Sequence, residues 1–335
     1  MSQSNSIIKD IKNKKVAPIY FLSGDEAFFI DQISKTIETE VLTEDEKGFN
    51  QTILYGNETD LSSIIGLAKQ FPMGAERQVV IIKEAQHLSR TIDQLEAYAE
   101  NPQPSTILVF NYKGKTLDKR KKLGKTLQKN GVFLEFKKLY DNQIPDWIDT
   151  TAKELGLTLE NKAKFMMTEF LGADLGRIYN ELQKLKILAQ DGKITPELVE
   201  RNIGISKDYN NFELRNAIET RNAKKAFSII KYFSQNPKDN PLVVTLSVLY
   251  QTFSNIIIHH SLTDKSQANV AKELGIHPFF VKDATTAAKN YPLKKATRII
   301  SLLREADIKS KGVGATGNTS QGDLLQELLF KIFSI

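Results

Sequence analysis

The sequence predicts a parallel α/β domain followed by two all-helical domains, and three observations carry that expectation. Over the first 140 residues, short β-branched runs alternate with helical stretches, the order of a parallel sheet with crossover helices. From Asn142 the strand signals fall away. From Phe212 to Ile335 only helical patterning remains. The expected domains are 1–140, 141–208 and 209–335, the second a small helical domain.

Taken in order, residues 3–15 are expected to form a short basic helix. Ala17 to Ser23 is a strand, Gly24 a turn, and a helix follows from about Glu26 to Val41. Phe49 to Tyr55 is a second strand. A helix runs from about Asp60 to Phe71, with Thr59 or Asp60 as N-cap. Gln78 to Lys83 is a third strand, buried because its β-branched residues run without polar alternation. A helix near Arg90–Glu100 stops before Pro102 and Pro104. Thr106 to Asn111 is a fourth strand, Thr116–Asn130 a basic helix, and Val132 to Phe136 a fifth strand. Further helices are expected near 142–155, 160–171 and 174–190. Thr195-Pro-Glu reads as an N-cap with proline at the first helical position. Ile205 to Asn211 reads as a linker, and Asn236 to Pro241 and Lys311 to Gly322 as loops.

One stretch organises the functional reading. Leu61, Ile64, Ile65, Ala68 and Phe71 recur at helical spacing, and Pro72 ends the helix because the residue before a proline is pushed out of the α region. Gly74 completes a turn into the third strand. Phe71, Pro72 and Met73 therefore sit at a helix tip, where apolar side chains are hard to bury. Such a knob suits a partner's pocket; equally, Phe71 extends the core stripe and Met73 fills a gap beneath the turn.

Composition narrows the chemistry. The chain has 335 residues, 41% of them hydrophobic, and no cysteine, which excludes disulfides, thiolate metal sites and cysteine nucleophiles. No run approaches the roughly 18 apolar residues of a membrane span. The N-terminal residues carry no apolar signal core, so a soluble cytoplasmic protein with no membrane partner is expected. The net charge of +6 is uneven: residues 1–112 hold 10 Lys+Arg against 16 Asp+Glu, and residues 113–138 hold 10 against 2.

A five-stranded α/β domain followed by a helical lid invites a nucleotide site. A phosphate-binding loop needs G-x-x-x-x-G-K-[ST] after a strand. The loop after the first strand reads Ser23-Gly-Asp-Glu-Ala-Phe-Phe-Ile30, with neither the lysine nor a second glycine. Gly114-Lys-Thr116 and Gly124-Lys-Thr126 fail as well, because Val109 and Lys119 stand where the first glycine belongs. The acidic pair expected after an apolar strand is broken to Lys83-Glu84. No cofactor, metal or catalytic residue is expected.

Other candidates are weaker. Lys115, Lys119, Arg120, Lys121, Lys122 and Lys125, with Lys113 and Lys129, could contact DNA phosphates without reading sequence, or could form a solvated face. No aromatic residue interleaves within Thr116–Asn130, so base stacking is not expected. Gly312 to Gly317 matches G-x-G-x-x-G but follows a helix, so a loop is expected. Ser266 to Lys289 has the outline of a helix-turn-helix, but Phe279, Phe280, Val281 and Ala284 suit packing better than base contact. The four histidines offer no metal site, Trp147 is expected in the core, and Arg177, at the position of a lid-helix phosphate sensor, is expected to be structural.

The tip stretch resembles the clamp-contacting helix of the delta subunit of bacterial DNA polymerase III. There a helix ends in two adjacent apolar residues, often Leu-Phe, then a short turn, an arginine and an apolar strand. Here Gln70-Phe71 stands at the pair, Arg77 at the arginine and Val79 to Ile82 at the strand. Gln70 departs from the usual leucine, and Phe71 with Met73 is the alternative pair. Pro18 to Glu26 is similar to the family's N-terminal strand and degenerate loop. Phe170 to Leu185 resembles its lid signature, and Leu274-Gly-Ile-His-Pro-Phe279 its third-domain motif.

The resemblance implies an AAA+-like α/β domain and helical lid without ATPase activity, followed by a helical collar domain. It implies a clamp-loader subunit of the DNA polymerase III holoenzyme that binds the sliding clamp through Gln70, Phe71, Pro72 and Met73 and holds its interface open for loading onto primed DNA. Implied partners are the clamp, the gamma/tau motor subunits, the delta-prime subunit, and primed DNA within the complex; the isolated chain is expected to be a monomer. The alternatives are an active ATPase of the same fold and a stand-alone basic DNA-binding protein.

Overall fold

A computed structural model describes residues 2–189, 191–204, 206–313 and 320–335. Gly314 to Gly317 of the glycine-rich pattern, and Ile205 of the expected linker, lie outside the described residues. The chain divides into two compact units, residues 1–139 and 140–335.

The first unit is a five-stranded, all-parallel sheet in the order β2-β3-β4-β1-β5, with β1 Ile19–Gly24, β2 Gln51–Tyr55, β3 Gln78–Lys83, β4 Thr106–Lys113 and β5 Val132–Phe136. Both faces are covered, as an all-parallel sheet requires. Alternate residues of β1 show this: Ile19 and Phe21 pack with α4 Leu61–Ala68 and α6 Lys122–Asn130, while Tyr20 and Leu22 are also fully buried. The remaining helices are α1 Ser2–Lys12, α2 Ala27–Glu40, α3 Glu44–Asn50 and α5 Glu96–Glu100.

The expected strands and long helices form, with four differences. Phe49 and Asn50 end a helix, α3, and do not open β2; Thr43 and Glu46 close a reciprocal capping box that starts it. The helix expected to reach Phe71 stops at Ala68, because buried side chains take up its terminal carbonyls. The expected helix over Arg90–Glu100 is a 3₁₀ turn, Ile92–Leu95, followed by the short α5. The basic helix begins at Lys122, not Thr116, because the Asp118 carboxylate accepts the Arg120 N–H at 2.9 Å and turns the chain first.

The second unit begins with α7 Ile144–Glu154, α8 Asn161–Leu171, α9 Leu175–Leu188 and α10 Pro196–Ile203. This segment is not wholly helical: β6 Thr158–Leu159 pairs in parallel with β7 Lys193–Ile194, a pair too short to leave a period-two pattern. Helices α11 Asn211–Glu219, α12 Ala223–Gln235, α13 Leu242–Ser261, α14 Gln267–Leu274, α15 Val281–Asn290, α16 Leu293–Ser310 and α17 Gln321–Ser334 follow. Leu214, Ile230, Phe253, Tyr291, Ile299 and Leu328 lie in their common core. By length and composition α13 is long and apolar enough to cross a membrane, which corrects the expectation that no stretch comes near. Leu242, Leu246, Leu249, Phe253 and Ile256 bury one side of it in that core, so it is read as a core helix.

Candidate functional site

The site residues of the first unit gather at opposite ends of the sheet. At the N-terminal end of the strands, α4 passes into β3 through residues 69–77. Asp60 caps α4 by accepting the Ser63 N–H at 2.9 Å, a bond that lowers its carboxyl pKa. Leu61, Ile64 and Ala68 hold the helix to the sheet. Beyond it, Phe71 is 77% exposed and Met73 68%; Gln70 is exposed and Pro72 half-buried. Phe71 therefore leaves the core stripe that its spacing suggested, and Met73 fills no gap.

The main chain under these side chains is held by buried polar groups. The Asn50 amide grips Met73 twice: Met73 N–H donates to its Oδ1 at 2.7 Å, and its Nδ2 donates to the Met73 carbonyl at 3.0 Å. Gln78 Nε2 reaches the carbonyls of Leu67 at 3.2 Å and Gln70 at 2.5 Å, and Thr106 Oγ1 at 2.8 Å. The Thr106 and Tyr98 hydroxyls both donate to the Ala68 carbonyl, at 2.8 and 3.2 Å. Burial pushes the Tyr98 phenol up, so it stays a donor. The carbonyls that a helix end leaves without partners are thus satisfied from inside. The result is an apolar tip on a fixed backbone, an arrangement suited to docking.

At the C-terminal end of the strands lies the loop where a nucleotide site would form. Three of its backbone donors, those of Gly24, Glu26 and Phe28, are already engaged. Gly24 N–H donates to the Lys115 carbonyl at 3.0 Å and Glu26 N–H to the Phe136 carbonyl at 3.1 Å. The Glu26 carboxylate caps α2 by accepting the Phe28 N–H. A negative side chain therefore occupies the helix N-terminus that would otherwise favour a phosphate. Gly24 has φ +116°, and a Cβ there would lie 2.1 Å from the Phe136 carbonyl oxygen, so only glycine permits this approach. Lys113, at the end of β4, pairs with Asp31 at 2.8 Å and Glu84 at 3.6 Å. Among the described residues no three Asp, Glu or His side chains converge as metal ligands.

The basic segment is not one continuous face. Lys119 pairs with Glu135 at 2.9 Å, Arg120 with Asp118 at 2.9 Å, and Lys122 with Glu96 and Glu100 at 2.5 and 3.0 Å. Hydrogen bonds from Arg120 hold the Asp118 carboxyl down to about 2, and those to Glu96 and Glu100 raise the Lys122 pKa. Lys115 donates to the Ser89 hydroxyl at 2.9 Å. Among the described residues, Lys121 and Lys125 form no salt bridge, although Lys121 is near enough to Asp118 to help hold its carboxyl down. Gly124 belongs to packing: a Cβ there would meet the Asp118 carbonyl at 2.6 Å.

In the second unit, α14 and α15 form a hairpin whose Val270, Ala271, Leu274 and Val281 pack together, while the Phe280 ring lies tilted 4.4 Å from that of Phe165. Trp147 is buried. Arg177 lies over the Phe170 ring at 5.5 Å. Arg215 lies 5.1 Å from the Phe212 ring and 4.9 Å from Phe280, with Glu219 at 3.8 Å; burial pushes Glu219 up to about 7.

Sequence reasoning passed over Phe49, which is 78% exposed on the last turn of α3. The Thr43-x-x-Glu46 spacing was the available signal, since a capping box there makes residue 49 helical and not the start of a strand.

Two family descriptions match the chain: DNA polymerase III, delta subunit, over residues 20–137, and DNA polymerase III delta subunit, C-terminal domain, over residues 208–331. The chain is 27% identical over 336 residues to the DNA polymerase III subunit delta of Bacillus subtilis (strain 168), covering 97% of this chain and 95% of that one. Its structure resembles that of the Bacillus subtilis DNA clamp loader delta protein, with a TM-score of 0.60, 26% identity, and coverage of 99% of this chain and 100% of that one.

Proposed function

The chain belongs to the DNA polymerase III delta-subunit family and is a clamp-loader subunit of a multi-subunit replication complex; we propose that within it this protein binds the sliding clamp and holds its interface open without hydrolysing ATP. The single observation that supports this most is the apolar tip: Phe71 and Met73 stand exposed on a backbone fixed by Asn50, Gln78, Thr106 and Tyr98. A loop tied down this way loses little conformational freedom on binding, so burial of the two side chains goes into affinity. Phe71 with Met73 takes the role of the family's apolar pair, and Gln70 flanks them.

Opening a ring needs no covalent chemistry. The subunit must bind the open clamp better than the closed one, because only that difference shifts the population. The absence of ATPase activity is supported by the engaged loop donors, by Glu26 at the N-terminus of α2, and by Lys113 between Asp31 and Glu84. The motor subunits gamma/tau would hydrolyse ATP, and the delta-prime subunit would complete the cytoplasmic assembly. Domain divisions at 140 and 208, with residues 209–335 as the collar, are part of this proposal. Primed DNA would pass within the complex, where Lys121 and Lys125 are the cations best placed to meet phosphate; the paired Lys119, Arg120 and Lys122 would contribute less.

The test is calorimetric binding of the purified chain to its own organism's sliding clamp. Tight binding by the wild type, weakened at least about tenfold by Phe71→Ala, is expected, an effect of about 1.4 kcal/mol. Equal affinity of the two proteins would remove Phe71 from the contact, and no binding by either would overturn the clamp reading.

A further inference from the structure

The docking reading leaves unused the most exposed aromatic of the first unit, Phe49. Phe49 is 78% exposed, as much as Phe71, and belongs to an element that the tip loop does not include. Its position relative to the tip is nevertheless fixed. Gln51 of β2 pairs with Val79 of β3, so the residue before each strand lies at the same end of the sheet. Neighbouring strands are about 4.8 Å apart. The next residue, Asn50, is buried and holds both the N–H and the carbonyl of Met73. Along that path the Cα atoms of Phe49 and Met73 lie within about 12 Å of each other. The far end of α3 is fixed too: Thr43 N–H donates to Glu46 Oε2 at 2.8 Å in the capping box.

We propose that Phe49 is a second anchor for the sliding clamp, seated beside the Phe71–Met73 tip and held at constant spacing from it by the Asn50–Met73 pairing. The inference rests on the clamp-binding reading given above. A single exposed apolar side chain is ordinary on a protein surface and asks for no partner. Three large ones at one sheet end, two on a tethered loop and one on a capped helix bonded to that loop, form a preorganised cluster of the kind that dominates interface affinity. The occupant is the surface of the clamp that meets the tip, because a partner that buries Met73 must pass close to Phe49.

The experiment is titration of the full-length chain with the sliding clamp of the same organism, for wild type, Phe49→Ala, Phe71→Ala and the double variant. Phe49→Ala is expected to weaken binding about fivefold or more with an unchanged thermal midpoint, since its side chain is mostly in solvent, and the double variant is expected to bind more weakly than either single one. If Phe71→Ala weakens binding while Phe49→Ala stays within twofold of wild type, Phe49 is no anchor and the tip reading survives. Loss of binding with Phe49→Ala alone would keep the second anchor and remove Phe71 from the first. Wild-type binding that neither change touches, or no wild-type binding, would overturn both.

Discussion

The two ends of the five-stranded sheet are built on opposite principles. At the C-terminal end of the strands the backbone donors face inward: Gly24, Glu26 and Gly114 spend their N–H groups on neighbouring carbonyls, and Lys113 is matched by Asp31 and Glu84. At the N-terminal end Asn50, Gln78, Thr106 and Tyr98 pair the main chain of the tip, but the apolar side chains above it stay in water. Ligands of open parallel sheets usually bind at the C-terminal end. Here Gly24, Glu26 and Lys113 at that end are engaged by their own chain, and the most exposed large apolar side chains of the first unit lie at the other. Main-chain pairing thus accompanies opposite outcomes, and what separates the ends is that these exposed side chains, Phe49, Phe71 and Met73, stand at the N-terminal one.

The strongest way to break the contrast is at the closed end. Gly24→Ala places a Cβ against the Phe136 carbonyl in a backbone conformation that alanine resists, and is expected to cost about 3 kcal/mol or more. Denaturant unfolding measures it, and a loss under 1 kcal/mol would show that the loop yields easily. At the open end, Gln78→Leu takes from the Gln70 carbonyl its Nε2 donor, while the Leu67 carbonyl keeps the Gln70 N–H, and is expected to cost about 2 kcal/mol. The same variant should weaken clamp binding as well, because the tip then pays for its own ordering; unchanged affinity would mean that the tip needs no support. Phe71→Ala should separate the two properties. Its side chain is exposed, so stability should move by less than about 0.5 kcal/mol while clamp affinity falls at least tenfold. The smallest effect is expected from Mg-ATP, which should release no binding heat; a saturable isotherm would show that the closed end opens.

Much of this was legible in the residues. Strands β3 and β4 lie where the β-branched and apolar runs put them, because such runs are stable only between two covered faces. The missing glycine and lysine after β1 could be read directly, since a phosphate-binding loop depends on residue types at fixed spacing. The tip was legible as a turn, but its exposure was not. Phe71 continues the apolar spacing of α4, and spacing alone favoured the core. The helix ends at Ala68 because Thr106, Tyr98 and Gln78, all distant in sequence, claim its carbonyls. The pairing of the basic segment was hidden for the same reason: its charges are consecutive, but the acids that meet Lys119 and Lys122, Glu135 and Glu96 with Glu100, come from other elements.

By itself the sequence determined the alternation of strands and helices, the mostly helical second half, and the lack of a phosphate-loop motif, because each depends on local periodicity or on residue identity at short spacing. Only the tertiary structure decided that Phe71, Met73 and Phe49 share one exposed end of the sheet and that Lys113, Lys119, Arg120 and Lys122 of the basic segment are paired with acids. Those outcomes depend on side chains such as Asn50, which reaches Met73 across 23 positions, and no pattern confined to a single helix or strand contains a contact of that range.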